Sequence, residues 1–509
     1  MSLLAVDIGS SSCKAVAFNH AGKMLAQYSS AYAPEFPKPS HVEIDPRRFW
    51  DAVCHCTWAV AKNLAEPVQA LCLSSHGETF IPVNKNDEAI GLAILNQDSR
   101  AHAESAWLEQ KLGRKRLFEI SGLVAHSMYP IPKILWLRRC EAKVFSSTSR
   151  FVSVIGYVLL QLGISPYVDY SLASRYLAFD VRKRRWSEEI LEVANLSSAS
   201  LPEPIPAGTV VGKLNAASAG QLGLPSGTPI VLGGHDQPCG ALGVGVIAQG
   251  KVSDSLGTYE CILAASDNPI LTEAALGACL NSYCHVVPEK FVTIAYFPSG
   301  IMVKWLRDLL YGDAVNPDAS SEAEHYARLE AQVPEGPTGL CITPNLIGTC
   351  NPDFNPHARG IISGLDSGTG RAHIYKGILE GLACELSQII SLLASAVGEF
   401  QDIYVTGGGT RSLLGLELRA ALTGKSLHVM ECPEAVCLGG AILAAVAIGE
   451  HSSITEAVQQ MVHEARVMNP DAAMAASYVY QMQQYHRVRS SFMAIHGAGA
   501  STINKERET

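Results

Sequence analysis

A pattern of strand, glycine-and-hydroxyl turn and strand occurs twice in this chain, once in each half, and it constrains the fold more than any single residue does. The first copy is L-L-A-V-D-I-G-S-S-S-C-K-A-V-A-F, in which residues 3–6 and 15–18 read as strands joined by a tight turn at 9–12. A turn at 19–22 leads into a third strand at 24–28, which makes a meander. The second copy is V-S-D-S-L-G-T-Y-E-C-I-L-A-A, with Gly257 and Thr258 where Gly9 and Ser10 stood. Two such openings predict a duplicated α/β unit with a ligand clamped between the copies, since clefts between domains are where ligands usually sit. A chain of 509 residues is in any case too long for one core. The boundary is expected near 246–251, giving domains 1–246 and 247–495 and a frayed polar tail at 496–509.

The charge balance narrows the class of partner. A net charge of −9, with only 17% charged residues, argues against nucleic acid and anionic membranes, both of which demand a basic field. The one basic cluster, Arg182-Lys183-Arg184-Arg185, reads as a solvated hairpin loop. The opening M-S-L-L-A-V-D-I-G has no basic n-region and its apolar run stops at Asp7, so it is read as neither signal peptide nor membrane span, and a cytoplasmic protein is expected. The 14 cysteines are scattered, several of them in apolar runs as Cys72 and Cys384 are, which predicts reduced, buried thiols. Cys54-His55-Cys56 lies in a helical stretch without a second pair and is not read as a zinc site.

The turns carry the chemistry. Gly9 with Ser10, Ser11 and Ser12 offers amides and hydroxyls in one concavity, an anion nest, although an ordinary hairpin turn has the same composition. Asp7 ends the preceding strand, and an acid beside a phosphate nest makes sense if magnesium lies between them. Gly300 precedes a helix and could offer its amide to a phosphate there. The run G-G-G-T-R-S after a strand at 403–406 permits close backbone approach, and is neither a Walker A loop nor a dinucleotide fingerprint. In V-L-G-G-H-D-Q-P-C-G, a strand at 228–232 is broken by Gly233 and Gly234, which puts Asp236 at a strand-to-helix corner. There Asp236 is either a helix cap or a reactive carboxylate. S-S-H-G-E-T-F places His76, Glu78 and Thr79 at a strand edge suited to a polar ligand, whereas Asn96, Asp98 and Arg100 read equally as loop or cap residues. Residues 151–200 offer no motif with interpretable chemistry.

Taken together the motifs resemble those of the FGGY carbohydrate kinases, over nearly the whole chain. D-I-G-S-S-S-C-K is similar to the family's first phosphate motif, S-L-G-T-Y to its second and V-T-G-G-G-T-R-S to its adenosine motif, while G-H-D-Q carries the catalytic aspartate at Asp236. M-Y-P-I-P-K-I-L-W-L and G-I-I-S-G-L-D-S-G-T-G-R-A-H-I-Y-K-G-I-L-E resemble its two diagnostic stretches, apart from Cys140 and Gly377. The resemblance implies an α/β protein of two actin-like, ribonuclease-H-like domains that close on ATP, Mg2+ and a small-molecule sugar or polyol, and it leaves room for a homodimer. It further implies that Ser10, Ser11, Ser12, Lys14, Gly257, Thr258 and Gly300 hold phosphates, that Gly408 and Gly409 meet the nucleotide, and that Asp7 orders the metal. Glu78, Asp236 and Gln237 would bind substrate, with Asp236 the general base, kept ionised by its place at a helix N-terminus.

Departures from the pattern bear on the substrate. S-H-G-E-T aligns with the Asn-Gln-Arg-Glu-Thr of glycerol kinase, but Gly77 replaces the glycerol-binding arginine and Met128 a substrate tyrosine. A ketose or longer polyol filling the vacated space is therefore expected rather than glycerol. Leu413 replaces a polar residue of the adenosine motif, which implies a more apolar contact with the base. The expected activity is transfer of the γ-phosphate of ATP to a hydroxyl of a pentulose, hexulose or polyol. The alternative is a catalytically weak actin-like ATPase or sugar-sensing kinase homologue, since fold alone does not fix function.

Overall fold

The computed structural model describes residues 2–311 and 326–497, and two large mixed sheets carry the two turn motifs. In the first, β1 (Ser2–Ile8), β2 (Ser12–Phe18), β3 (Met24–Ala31), β4 (Val68–Ser75), β5 (Val210–Lys213) and β6 (Pro229–His235) lie in the order β5-β6-β4-β1-β2-β3. The second holds β7 (Val252–Leu256), β8 (Tyr259–Ser266), β9 (Asn281–Cys284), β10 (Phe291–Pro298), β11 (Asp402–Thr406), β12 (Ser426–Met430) and β13 (Glu464–Met468), in the order β9-β10-β8-β7-β11-β12-β13. β1 is antiparallel to β2 and parallel to β4, which is parallel to β6. β7 is likewise antiparallel to β8 and parallel to β11, which is parallel to β12. The second sheet thus repeats the pairing of the first and adds β9 at one edge.

The central strand β1 is apolar because both of its faces are covered. Leu4, Val6 and Ile8 belong to one core cluster, Leu3 and Ala5 to another, and all five are at most 1% exposed. On the first face lies α1 (Arg47–Ala61), whose Phe49, Val53, Cys56 and Val60 recur at helical spacing. The other face is covered by α2 (Asp236–Gly243) and, from the far end of the chain, by Ala435–Ala447. The second core is built around α3 (Arg371–Val397), with 17 of its residues buried.

One expectation needs correction here. Gly233 and Gly234 do not break the strand; β6 runs through both. They are small because of close packing: a Cβ on Gly233 would lie 2.3 Å from Leu73 O, and one on Gly234 within 2.8 Å of Val286, Ser171 and Asp169 atoms. α4 (Ala435–Ala447) follows β12 in sequence yet packs on the first sheet. There α2 and α4 meet backbone to backbone, since a Cβ on Gly439 would stand 1.9 Å from Cys239 O and one on Gly243 1.9 Å from Ala435 O. The tail expected at 496–509 lies, from residue 498 onward, outside the described residues.

Candidate active site

Asp236 is the first residue of α2, and the N-cap position belongs to His235, which makes no side-chain capping bond. Asp236 thus stands one residue inside the N-cap position, and its carboxylate still satisfies one amide of the first turn. Its Oδ1 accepts from the Gln237 amide at 2.6 Å and lies 3.1 Å from His235 Nε2. Burial, then Asp7, then Glu78 push its pKa well above the usual carboxylate range. Burial and the two neighbouring carboxylates outweigh the ionising effect expected of the helix N-terminus.

On the phosphate side, Asp7 of β1 lies in register with Lys14 of β2 and receives a long hydrogen bond from Ser74 Oγ at 3.5 Å. Burial raises its pKa to about 7, against the pull of Lys14. The turn between β1 and β2 is closed by Gly9 N donating to Ser12 O at 2.9 Å and lashed to Tyr32, whose hydroxyl donates to Gly9 O at 2.5 Å. Ser10 and Ser12 are half-buried and Ser11 is exposed at its rim. Lys14 does not stand free above this turn: its Nζ is 2.6 Å from Oε2 of Glu434, just ahead of α4.

The second phosphate turn departs from expectation at Gly300. The Gly300 amide donates to Gly257 O at 3.0 Å, so it is not available to a phosphate. A Cβ there would lie 2.5 Å from the same oxygen, and glycine is what lets the helix Gly300–Tyr311 dock on the 257–258 turn. Gly257 and Thr258 themselves are exposed. The triple-glycine turn abuts the end of β7, where a Cβ on Gly409 would stand 2.8 Å from Leu256 Cβ. Gly408 is exposed, with nothing within 4 Å of where its Cβ would be, so it is the open position of the turn.

The sugar side centres on Glu78, which is buried and held at φ 61°, a left-handed conformation costly for a side chain with a Cβ. Its Oε1 receives Arg175 Nε at 2.5 Å. Arg175, 4% exposed, stacks between the rings of Tyr129 and Tyr283 at 5.2 and 4.8 Å, and its Nη1 is buried without a partner. Lys133, fully buried, donates to Glu78 O at 3.3 Å and Leu95 O at 2.5 Å, and desolvation lowers its pKa to about 7. Asn96, whose amide bonds Thr79 Oγ1 at 3.2 Å, has a buried Oδ1 without a partner. Arg100, by contrast, is locked on Asp98 and Glu43 at 2.6 Å each and stacks on Trp136. Contrary to the expectation from the sequence, the space beside Gly77 is not vacant. A Cβ on Gly77 would be 3.0 Å from the His235 ring and 3.2 Å from Arg175 Cγ, so those two side chains fill it.

Arg175, Tyr129, Tyr283, Lys133 and His235 were not singled out by sequence reasoning. The one signal for Arg175 is a cation inside the apolar run Y-S-L-A-S-R-Y-L-A-F, and only the fold brings it to Glu78, 97 residues earlier.

Asp7 and Glu78 each raise the cost of ionising Asp236, a charge that a divalent cation beside Asp7 would offset, and among the described residues no three His, Cys, Asp or Glu side chains stand together as a metal site. Residues 2–243 match the N-terminal domain and residues 252–448 the C-terminal domain of the FGGY family of carbohydrate kinases. The chain is 27% identical over 467 residues to a gluconokinase of Bacillus subtilis (strain 168), covering 90% of each chain. It is 25% identical over 493 residues to a xylulose kinase of the same strain, covering 96% of each. The fold is similar to that of a ligand-bound xylulose kinase from Lactobacillus acidophilus, with a TM-score of 0.89 at 22% identity over 98% of this chain and 100% of that one.

Proposed function

The chain belongs to the FGGY family of carbohydrate kinases, phosphotransferases with an alcohol acceptor, and on that premise we propose that it moves the γ-phosphate of ATP to a hydroxyl of a ketose or polyol. The observation that carries this reading is the convergence on one carboxylate, Asp236, of the Asp7 strand end and the Glu78–Arg175 pair. Phosphoryl transfer needs positioning and charge neutralisation more than covalent chemistry. Asp236 accepts the proton of the substrate hydroxyl as its oxygen attacks in line, help usually worth about 10²–10⁴ in rate. Ser10, Ser11, Ser12 and Thr258 line the phosphate path, with Gly257 and Gly408 giving the nucleotide close access to backbone. Lys14 joins them once it exchanges Glu434 for a phosphate oxygen. Asp7 is the residue to hold Mg2+, which when bound neutralises phosphate charge.

A neutral polyhydroxyl substrate suits the sugar side better than a carboxylate. Arg175 is already neutralised by Glu78, and the unpartnered atoms are a donor on Arg175 and an acceptor on Asn96. A hydroxyl can serve both, whereas a carboxylate only accepts. The substrate class is tested by a coupled ADP assay over pentuloses, hexuloses, tetritols and pentitols, with gluconate and glycerol included. ADP release that is fastest with a neutral ketose or polyol supports the reading; release fastest with gluconate, or independent of any sugar, defeats it.

A further inference from the structure

We propose that His235 is a positioning residue for the transfer, its Nε2 set against one oxygen of Asp236 while Tyr283, from the other sheet, holds the ring at Nδ1. The proposal rests on Asp236 being the base. His235 Nε2 lies 3.1 Å from Asp236 Oδ1, and Nδ1 lies 3.1 Å from the Tyr283 hydroxyl. A hydrogen bond from the ring to the ionised carboxylate requires the proton on Nε2, since a carboxylate only accepts; Nδ1 is then an acceptor and Tyr283 donates to it. Burial pushes the His235 pKa down to about 3, which keeps the ring neutral over the working range.

The backbone of His235 is fixed as firmly as its ring. Its amide donates to Ser171 Oγ at 2.9 Å, and Ser171 donates in turn to the buried Asp169 at 2.5 Å. Gly77 leaves the room for the ring, and Tyr283, fully buried, comes from β9, the strand that the second sheet has and the first lacks. The extra strand therefore ties the second lobe to the orientation of the base. With Oδ1 taken by the Gln237 amide and approached by His235 Nε2, Oδ2 is the oxygen left to take the substrate proton.

The test compares His235→Phe, His235→Gln and Tyr283→Phe with Asp236→Asn, using whichever sugar or polyol gives the fastest ADP release. Apart from His235 and Tyr283, the charged and titratable groups facing Asp236 are Asp7, Glu78, Arg175, Cys239 and Cys261, all unchanged in these variants. His235→Phe should lower kcat by about 10- to 100-fold, the range carried by a lost hydrogen bond to a charged group. The KM for ATP should stay constant, and the acid limb of kcat against pH should move up as the carboxylate loses its donor. His235→Gln keeps an N–H and should recover most of the loss; Tyr283→Phe should move kcat and the acid limb in the same direction, by less. Normal kcat and acid limb in His235→Phe, with Asp236→Asn inactive, overturns the positioning role and leaves the base in place. A fully active Asp236→Asn instead removes the base itself. Should His235→Phe fail to fold, Tyr283→Phe decides alone, since it deletes one hydroxyl, and a wild-type profile there overturns the proposal.

Discussion

Replacing Asp236 by asparagine keeps the shape of the side chain and its bond from the Gln237 amide, while removing the group that takes the proton. Turnover should fall at least about 10²-fold with the melting temperature nearly unchanged, and steady-state kinetics beside a thermal melt decide it. For Glu78 the structure changes the choice of variant. Alanine would strand the buried Arg175 charge, at a cost of about 3–5 kcal/mol, and would confuse stability with binding. Glu78→Gln keeps a hydrogen-bond acceptor and should raise the sugar KM about tenfold with the ATP KM unmoved. An equal rise in both constants would make the pair structural. At this scale Asp236 and Glu78 were legible because an acid beside glycine and hydroxyl residues stands out in sequence. Arg175 and His235 were not, because what makes them significant is a neighbour distant in the chain.

Packing between elements separates two kinds of glycine that look alike in sequence. Gly439 sits where α4 crosses α2, and Gly439→Ala would force a Cβ to within 1.9 Å of Cys239 O. Neither backbone can yield without separating the helices, so a loss of about 3 kcal/mol or more is expected in denaturant unfolding. Gly408 has open space at the same position, so Gly408→Ala should change stability by no more than about 0.5 kcal/mol. If the open turn receives the nucleotide, the added methyl should instead raise the ATP KM, and an unaltered KM would take this turn out of the nucleotide site. Gly233 and Gly234 illustrate the same limit: as breakers they end a strand, as close-packing residues they continue one, and only the neighbours Leu73, Ser171 and Asp169 choose.

Across the whole molecule, ATP that bridges the two turn motifs should stabilise the folded state by mass action. Magnesium ATP at about 100 times its Kd should add about 2.7 kcal/mol, read as a rise in melting temperature, and no rise would count against the cleft. The duplicated architecture was determined by sequence alone, since each half opens with the same local pattern and local patterns are what strand and turn propensities encode. The class of chemistry came with it, through motifs spaced as a known family spaces them. Tertiary structure decided the rest. It returned α4 to the first sheet, gave the Gly300 amide to Gly257, paired Lys14 with Glu434 across 420 residues, and filled the space beside Gly77 with His235 and Arg175. Each of these is a contact between segments far apart in the chain, made wherever burial leaves a charge or a donor in need of a partner, and no periodicity or spacing within either segment specifies the other.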